Sequence, residues 1–162
     1  MSQPITMVVE IPRGSRNKYE TDLGTGRIFL DRLLFTSMQY PADYGYVPMT
    51  VAEDGDPLDA MALVLEPTFP GCQIRIRPVG IFLMEDQGLP DHKVIGVPWG
   101  DSRYESIADV ADLPDHQRLE LEHFFTVYKQ LEKKKTAALG WRPAAEVPAI
   151  LAAALARFPQ TR

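Results

Sequence analysis

Two-thirds of the way along the chain the hydrophobic period changes, and that change bounds the fold. Before it, apolar residues come in short runs broken by Gly and Pro. Ile5 to Ile11 is β-branched and stops at Pro12, a strand with a clean end. Lys18 to Asp22 and Arg27 to Leu30 flank Gly24-Thr25-Gly26, a hairpin pattern. Ala60 to Leu65 is a short apolar run of the buried-strand kind, Gln73 to Met84 opens by alternating Ile with Arg, and Val94 to Val97 is apolar again. Tyr40 to Asp59, rich in Tyr, Pro, Gly and Asp, holds no period and reads as loop. After the change, Leu121, Phe124, Phe125 and Tyr128 fall at i, i+3, i+4 and i+7, an amphipathic helix. Asp112, Pro114 and Asp115 mark its start. Gly140 closes that region, and Pro143 to Phe158 reads as a second, Ala-rich helix. Strands first and helices after predict an α+β architecture: a β-barrel-like body carrying two main C-terminal helices.

A length of 162 residues predicts one domain over the whole chain, with a core large enough to be stable. Fourteen prolines, well above the ~5% norm, are scattered and predict a loop-rich fold. The net charge of −5 argues against a nucleic-acid binder, whose affinity rests on neutralising phosphates. An anionic small molecule stays open as a substrate, because bound metal ions reverse the field of an acidic cleft. Cys72 is the one cysteine; it excludes an internal disulfide, fits a reducing compartment, and reads as a small buried apolar residue. The first residues lack a signal-peptide pattern, and no stretch approaches the ~20 apolar residues of a membrane helix. The expectation is a cytoplasmic protein without membrane or nucleic-acid partners.

Three constellations carry chemistry. The hexapeptide Asp54-Gly55-Asp56-Pro57-Leu58-Asp59 puts three carboxylates on a loop bent by Gly and Pro. At ~5 Å and an effective dielectric of ~20, each close pair costs about 3 kcal/mol. Either cations bind such a cluster or the loop is solvated. Oxygen ligands with no Cys/His set nearby point to Mg²⁺, Mn²⁺ or Ca²⁺ rather than zinc. An EF-hand fits poorly, since Asp59 stands where its Gly belongs and Leu65 where its Glu belongs. The second set is Asp86, Asp91 and Lys93 around a Gly88/Pro90 turn: two carboxylates and an ammonium at one site, or a solvated hairpin tip. The third is Lys18, Arg32, Tyr40, Tyr44, Tyr128 and Lys129. Arg forks and Lys point charges suit phosphate oxygens, and phenols donate from apolar walls; singly, each could equally be surface or packing. His92, His116 and His123 have no metal-ligand spacing.

Together these segments resemble the soluble one-domain (family I) inorganic pyrophosphatases of the bacterial type. The resemblance runs from about Val9 to Trp141 on Glu10-Ile11-Pro12, Lys18-Tyr19-Glu20, Asp31-Arg32, the stretch from Tyr40 to Tyr46, the acidic hexapeptide, Arg77-Pro78-Val79-Gly80, Asp86, Asp91-His92-Lys93, and His123-Phe124-Phe125 leading to Tyr128-Lys129. It implies a compact five-stranded OB-like barrel with helices, and hydrolysis of pyrophosphate to two orthophosphates at a site of several Mg²⁺ ions, with Mn²⁺ or other divalent ions as alternatives. By position, Asp54, Asp59 and Asp91 should hold the first metal, with Asp59 also facing the second. Asp86 and Asp91 should take the metal arriving with substrate, Glu10 should serve a further site, and Glu20 should line the cavity. Asp56 matches the general base for a water bridging two metals. Lys18 and Tyr44 should contact the attacked phosphoryl group, Tyr128 and Lys129 the leaving phosphate, and Arg32 the space between; Lys93 and Tyr40 should line the site. One divalent ion lowers the pKa of bound water from ~15.7 to about 7, roughly 12 kcal/mol of help, so the metals outrank Asp56.

Three departures stand out. Gln87 follows Asp86 where relatives carry an acid, and Lys133-Lys134-Lys135 follows Glu132 where a Gly-Lys step is common. The resemblance implies a homohexamer; His123 matches a contact histidine, but Val127 replaces its companion. The rival readings are a phosphohydrolase acting on nucleoside triphosphates or polyphosphate, which lacks support because the chain has no P-loop, a non-catalytic OB-fold nucleic-acid binder, and an inactive relative.

Overall fold

A computed structural model describes residues 3–160. In chain order it contains β1 (Ile5–Ile11), β2 (Asn17–Thr21), β3 (Ile28–Leu33), β4 (Asp43–Tyr46), β5 (Asp59–Ala62), β6 (Gln73–Asp86), β7 (Leu89–Pro90), β8 (Lys93–Pro98), helix α1 (Asp115–Val127), β9 (Thr136–Pro143) and helix α2 (Val147–Arg157). Hydrogen bonding orders the main sheet β1-β4-β5-β8-β6-β7, and β6 also pairs with β1. That pairing closes five strands into a ring, the expected OB-like barrel. β9 extends the sheet from β6, and β2 and β3 form a separate hairpin. No helix among the described residues is long and apolar enough to cross a membrane.

The structure departs from the sequence expectations in instructive places. The stretch from Tyr40 to Asp59 is not all loop: β4 lies inside it, antiparallel to both β1 and β5. Its signal is hidden because Gly45 supplies no side chain to a pattern. Gly45 is required there, since a Cβ would lie 1.8 Å from the Val8 carbonyl oxygen. β5 stops at Ala62 instead of Leu65, and the carbonyls of Val64 and Leu65 accept from the Arg13 guanidinium rather than continuing the strand. Gly140 ends no helix; it sits inside β9 with φ of 121°, beside the register shift at Leu83/Met84. β9 carries Ala137 and Ala138, poor strand formers whose preference tertiary pairing with β6 overrides. The second helix accordingly starts at Val147, after a 3₁₀ turn over Ala144–Glu146. Cys72 is half-exposed rather than buried.

The two helices close the barrel from different sides. α1 lays Leu121, Phe124 and Phe125 on it, each 1% exposed; burying such a side chain is worth ~1.5–3 kcal/mol. Phe124 meets Tyr40 at 4.8 Å between ring centres and Tyr128 at 5.1 Å, and Phe125 meets Phe82 at 5.6 Å. The Thr136 hydroxyl donates to the Phe125 carbonyl at 2.7 Å, tying the end of α1 to the start of β9. This aromatic block fixes the direction in which Tyr40, Tyr44 and Tyr128 leave the core. α2 buries Val147 and Ala154 over a second apolar cluster that includes Met7, Ala60 and Val94.

Candidate active site

Strand register assembles the floor of the site. Asp59 opens β5 and pairs with Tyr46 of β4 on one side and Lys93 of β8 on the other. Directly paired residues share a face of a sheet, and residues two apart return to it. Tyr44, Tyr46, Asp59 and Lys93 therefore converge. Lys93 is fully buried, and its three donors have three acceptors: the Tyr44 hydroxyl at 2.8 Å, Asp59 Oδ2 at 2.9 Å and Asp91 Oδ1 at 3.2 Å. The Tyr44 hydroxyl in turn donates to Asp59 Oδ2 at 2.8 Å. The ammonium also lies 5.2 Å from the Phe125 ring centre, a cation–π contact.

Loops and irregular strand positions bring in the remaining acids. The hexapeptide is tied down: the Thr50 hydroxyl donates to the Val47 carbonyl and accepts from the Leu58 amide. Asp54 Oδ1 accepts from the Asp56 amide at 3.0 Å, and the Ala52 amide donates to the Asp56 carbonyl. Glu10 is the extra residue of a bulge in β1, between the Val9 and Ile11 pairings, and accepts from the Thr21 amide at 2.7 Å. A bulge re-aims a side chain in this way. The β6–β7 turn uses Gln87 and Gly88 at positive φ and leaves Asp86 at its base, ion-paired with Lys129.

These side chains surround one cleft of about 570 Å³. Among the described residues, seven carboxylates line it, from Glu10, Glu20, Asp54, Asp56, Asp59, Asp86 and Asp91, against the two ammonium groups of Lys18 and Lys129. Burial pushes Asp59 up, to about 7; Lys93 opposes that shift and the Asp91 charge adds to it. Burial also disfavours the Asp91 charge, but Lys93 overrides it and holds Asp91 below the usual carboxylate range. The Lys93 ammonium, disfavoured by burial, is raised by the two carboxylates. Burial raises Glu10 and Asp54, and it raises Tyr40, Tyr44 and Tyr128 far enough to keep them protonated donors.

Of the residues expected at the site, twelve line the cleft: Glu10, Lys18, Glu20, Tyr40, Tyr44, Asp54, Asp56, Asp59, Asp86, Asp91, Tyr128 and Lys129. Lys93 lies directly beneath, under Asp59 and Asp91. Arg32 does not line the cleft and sits beside it, paired with Asp31 and Glu132. Sequence reasoning gave no role to Tyr46 and Thr21, which line the wall near Glu10, or to Asp31 and Glu132. The position of Tyr46, two residues after Tyr44, was the one signal for it. Oxygen-only donors in such excess fit hard divalent cations such as Mg²⁺ or Mn²⁺. Among the described residues no three acidic, His or Cys side chains are already gathered around one point to hold an ion; Lys93 and Lys129 stand between carboxylates instead.

A closed five-stranded barrel with an acidic cleft, cationic and phenolic at its margins, defines a small-barrel enzyme of the α+β class. The inorganic pyrophosphatase profile matches residues 7–159, so the similarity continues through α2, beyond the Trp141 limit read from the motifs. An inorganic pyrophosphatase of Leifsonia xyli is 50% identical over 94% of this chain and 94% of its own length. One of Streptomyces coelicolor is 55% identical over 80% of each. The crystal structure of the Thermus thermophilus inorganic pyrophosphatase superposes with a TM-score of 0.92 at 44% identity, covering 96% of this chain and 91% of that one. The chain belongs to the inorganic pyrophosphatase family of hydrolases.

Proposed function

We propose that this chain hydrolyses pyrophosphate to two orthophosphates with the help of several bound Mg²⁺ ions. The observation that carries the reading is the meeting of seven carboxylates, drawn from distant segments, with Lys18, Lys129 and Tyr128 around one cleft. An anion would be repelled by that acidic surplus alone, and divalent cations convert it into an attractive site. Asp54, Asp59 and Asp91 would hold the first ion, Asp59 also the second, Asp86 and Asp91 the ion that accompanies substrate, and Glu10 a further one. Bound there, the ions neutralise substrate charge and acidify coordinated water.

The protein's own groups do the rest. Asp56 is exposed at the tip of the hexapeptide and accepts the proton of the attacking water as general base. Lys18 and Tyr44 orient the attacked phosphoryl group, Tyr128 and Lys129 take the leaving phosphate, and Arg32 serves both from the margin. Buried Lys93 fixes Asp59 and Asp91, with Tyr40 packed behind and Glu20 at the rim. The same proposal includes one functional unit over the whole chain, a cytoplasmic location consistent with the unpaired Cys72, and a homohexamer using the α1 face that exposes His123.

Orthophosphate release with Mg²⁺ tests the reading. Pyrophosphate should be split far faster than ATP, and Asp56→Asn should keep divalent-ion binding while losing most turnover. Equal rates on ATP would favour a broader phosphohydrolase, and unchanged hydrolysis by Asp56→Asn would remove Asp56 from the mechanism.

A further inference from the structure

Lys18 and Arg32 are cross-strand partners in the β2–β3 hairpin, and the register shift beside them makes Asp31 the extra residue. Asp31 uses that position to bind both cations, Lys18 at 3.2 Å and Arg32 through Nη1. The other edge of the Arg32 guanidinium belongs to Glu132, with Nε 2.8 Å from Oε1. Glu132 arrives by a 3₁₀ turn over Gln130–Glu132, immediately after Lys129, and Lys133 closes that turn at φ of 57°. Its side chain is only 5% exposed. Among the described residues, Arg32 Nη2 and Glu132 Oε2 are buried and make no hydrogen bond, and Arg32 Nε, also without one, meets Glu132 Oε1 as an ion pair. The Arg32 side chain keeps 22% of its surface exposed, but a buried donor atom normally finds an acceptor, so the unfilled Nη2 beside the cleft marks a place for one. The Arg32 charge is felt at the hydroxyls of Tyr40 and Tyr128, both of which line the cleft.

We propose that Glu132 is a positioning residue: it holds Arg32 by the Nε edge at the margin of the cleft, reserving Nη2 for an oxygen of the bound phosphate. The inference rests on the reading of the cleft as a pyrophosphate site. Burying a carboxylate at this point has a cost that a surface turn would not incur, and the geometry returns it as a guanidinium with one fixed orientation. Losing that orientation should weaken binding of the phosphate more than it slows the bond-breaking step, because Arg32 is paired with Asp31 and Glu132 at the margin of the cleft and not with Asp56, the proposed base.

The test is steady-state hydrolysis of pyrophosphate by the Mg²⁺-loaded protein. Glu132→Gln keeps the size and removes the charge; it should raise KM about tenfold, the worth of one weakened charge-assisted contact, with kcat within about threefold. Arg32→Lys should do the same, and adding Glu132→Gln to Arg32→Lys should produce no further rise. Glu132→Asp, which keeps the charge, should recover part of the loss and serves as the probe if Glu132→Gln does not fold. A KM within twofold of the parent overturns the proposal. So does a full effect of Glu132→Gln in the Arg32→Lys background, or a lowered melting midpoint and kcat with KM unmoved, the pattern of a merely structural pair. If the unaltered protein splits no pyrophosphate, the function and the inference fall together. If it does and Glu132→Gln matches it, only the inference falls.

Discussion

Replacing Lys93 by Met keeps the length of the side chain and deletes its charge, leaving Asp59 and Asp91 facing each other at the wall of the cleft. With Nζ–oxygen separations of 2.9 and 3.2 Å, each pair attracts, when both members are charged, by about 5–6 kcal/mol at an effective dielectric of ~20, before desolvation is subtracted. Removing one member of a buried ion pair costs about 3–5 kcal/mol net. The carboxylates retain some water, at 23% and 15% side-chain exposure, which puts the expected loss at the lower end, about 3 kcal/mol. For a chain of this size that is a fall of roughly 6–12 °C in melting midpoint. The assay is thermal unfolding, once in chelator and once in Mg²⁺. The deficit should be largest in chelator and shrink in Mg²⁺, because a divalent ion held by Asp59 and Asp91 would supply the charge that Lys93 no longer does. A midpoint in chelator within about 2 °C of the parent, or an equal deficit in both conditions, would refute the reasoning.

Gly45→Ala should destabilise the barrel by more than about 3 kcal/mol, read as loss of soluble protein or a large fall in melting midpoint, because its Cβ would meet the Val8 carbonyl at 1.8 Å. Tyr44→Phe removes a hydroxyl that bridges Lys93 and Asp59; urea unfolding should register about 1–3 kcal/mol. The Asp31 carboxyl is disfavoured by burial but held below the usual carboxylate range by Lys18 and Arg32. A lowered folded pKa contributes stability above the unfolded value that is lost as pH falls through the folded one. Asp31→Asn should therefore cost less than about 1 kcal/mol at pH 7, given its partial exposure, and nothing near pH 2.

The barrel was legible where its strands follow local rules. Ile5–Ile11 coincides with the expected strand at both ends, and β8 differs by a residue at each. β4 and β9 were not, for opposite reasons. β4 is specified by what Gly45 lacks, a side chain that would strike β1, and an absence leaves no period. β9 is specified by its partner, since Ala137 and Ala138 gain strand geometry only from pairing with β6. The site followed a similar division. Carboxylates on a bent loop announce themselves through mutual repulsion, and the resemblance ordered the rest. The roles of Asp31 and Glu132 were not legible, because each depends on a bulge or a 3₁₀ turn that aims it at Arg32. A sequence pattern reports neighbours along a strand or helix and says little about side chains aimed by such irregularities.

The central claim is that acids from separate strands and loops form one divalent-cation site that makes pyrophosphate cleavable. Its most direct measurement is orthophosphate release from pyrophosphate by protein stripped of metal, before and after adding Mg²⁺. Release should be negligible in the stripped protein and restored by Mg²⁺, with Asp59→Asn failing to respond. Full activity in the stripped protein, or an Asp59→Asn variant that recovers like the parent, would contradict the account.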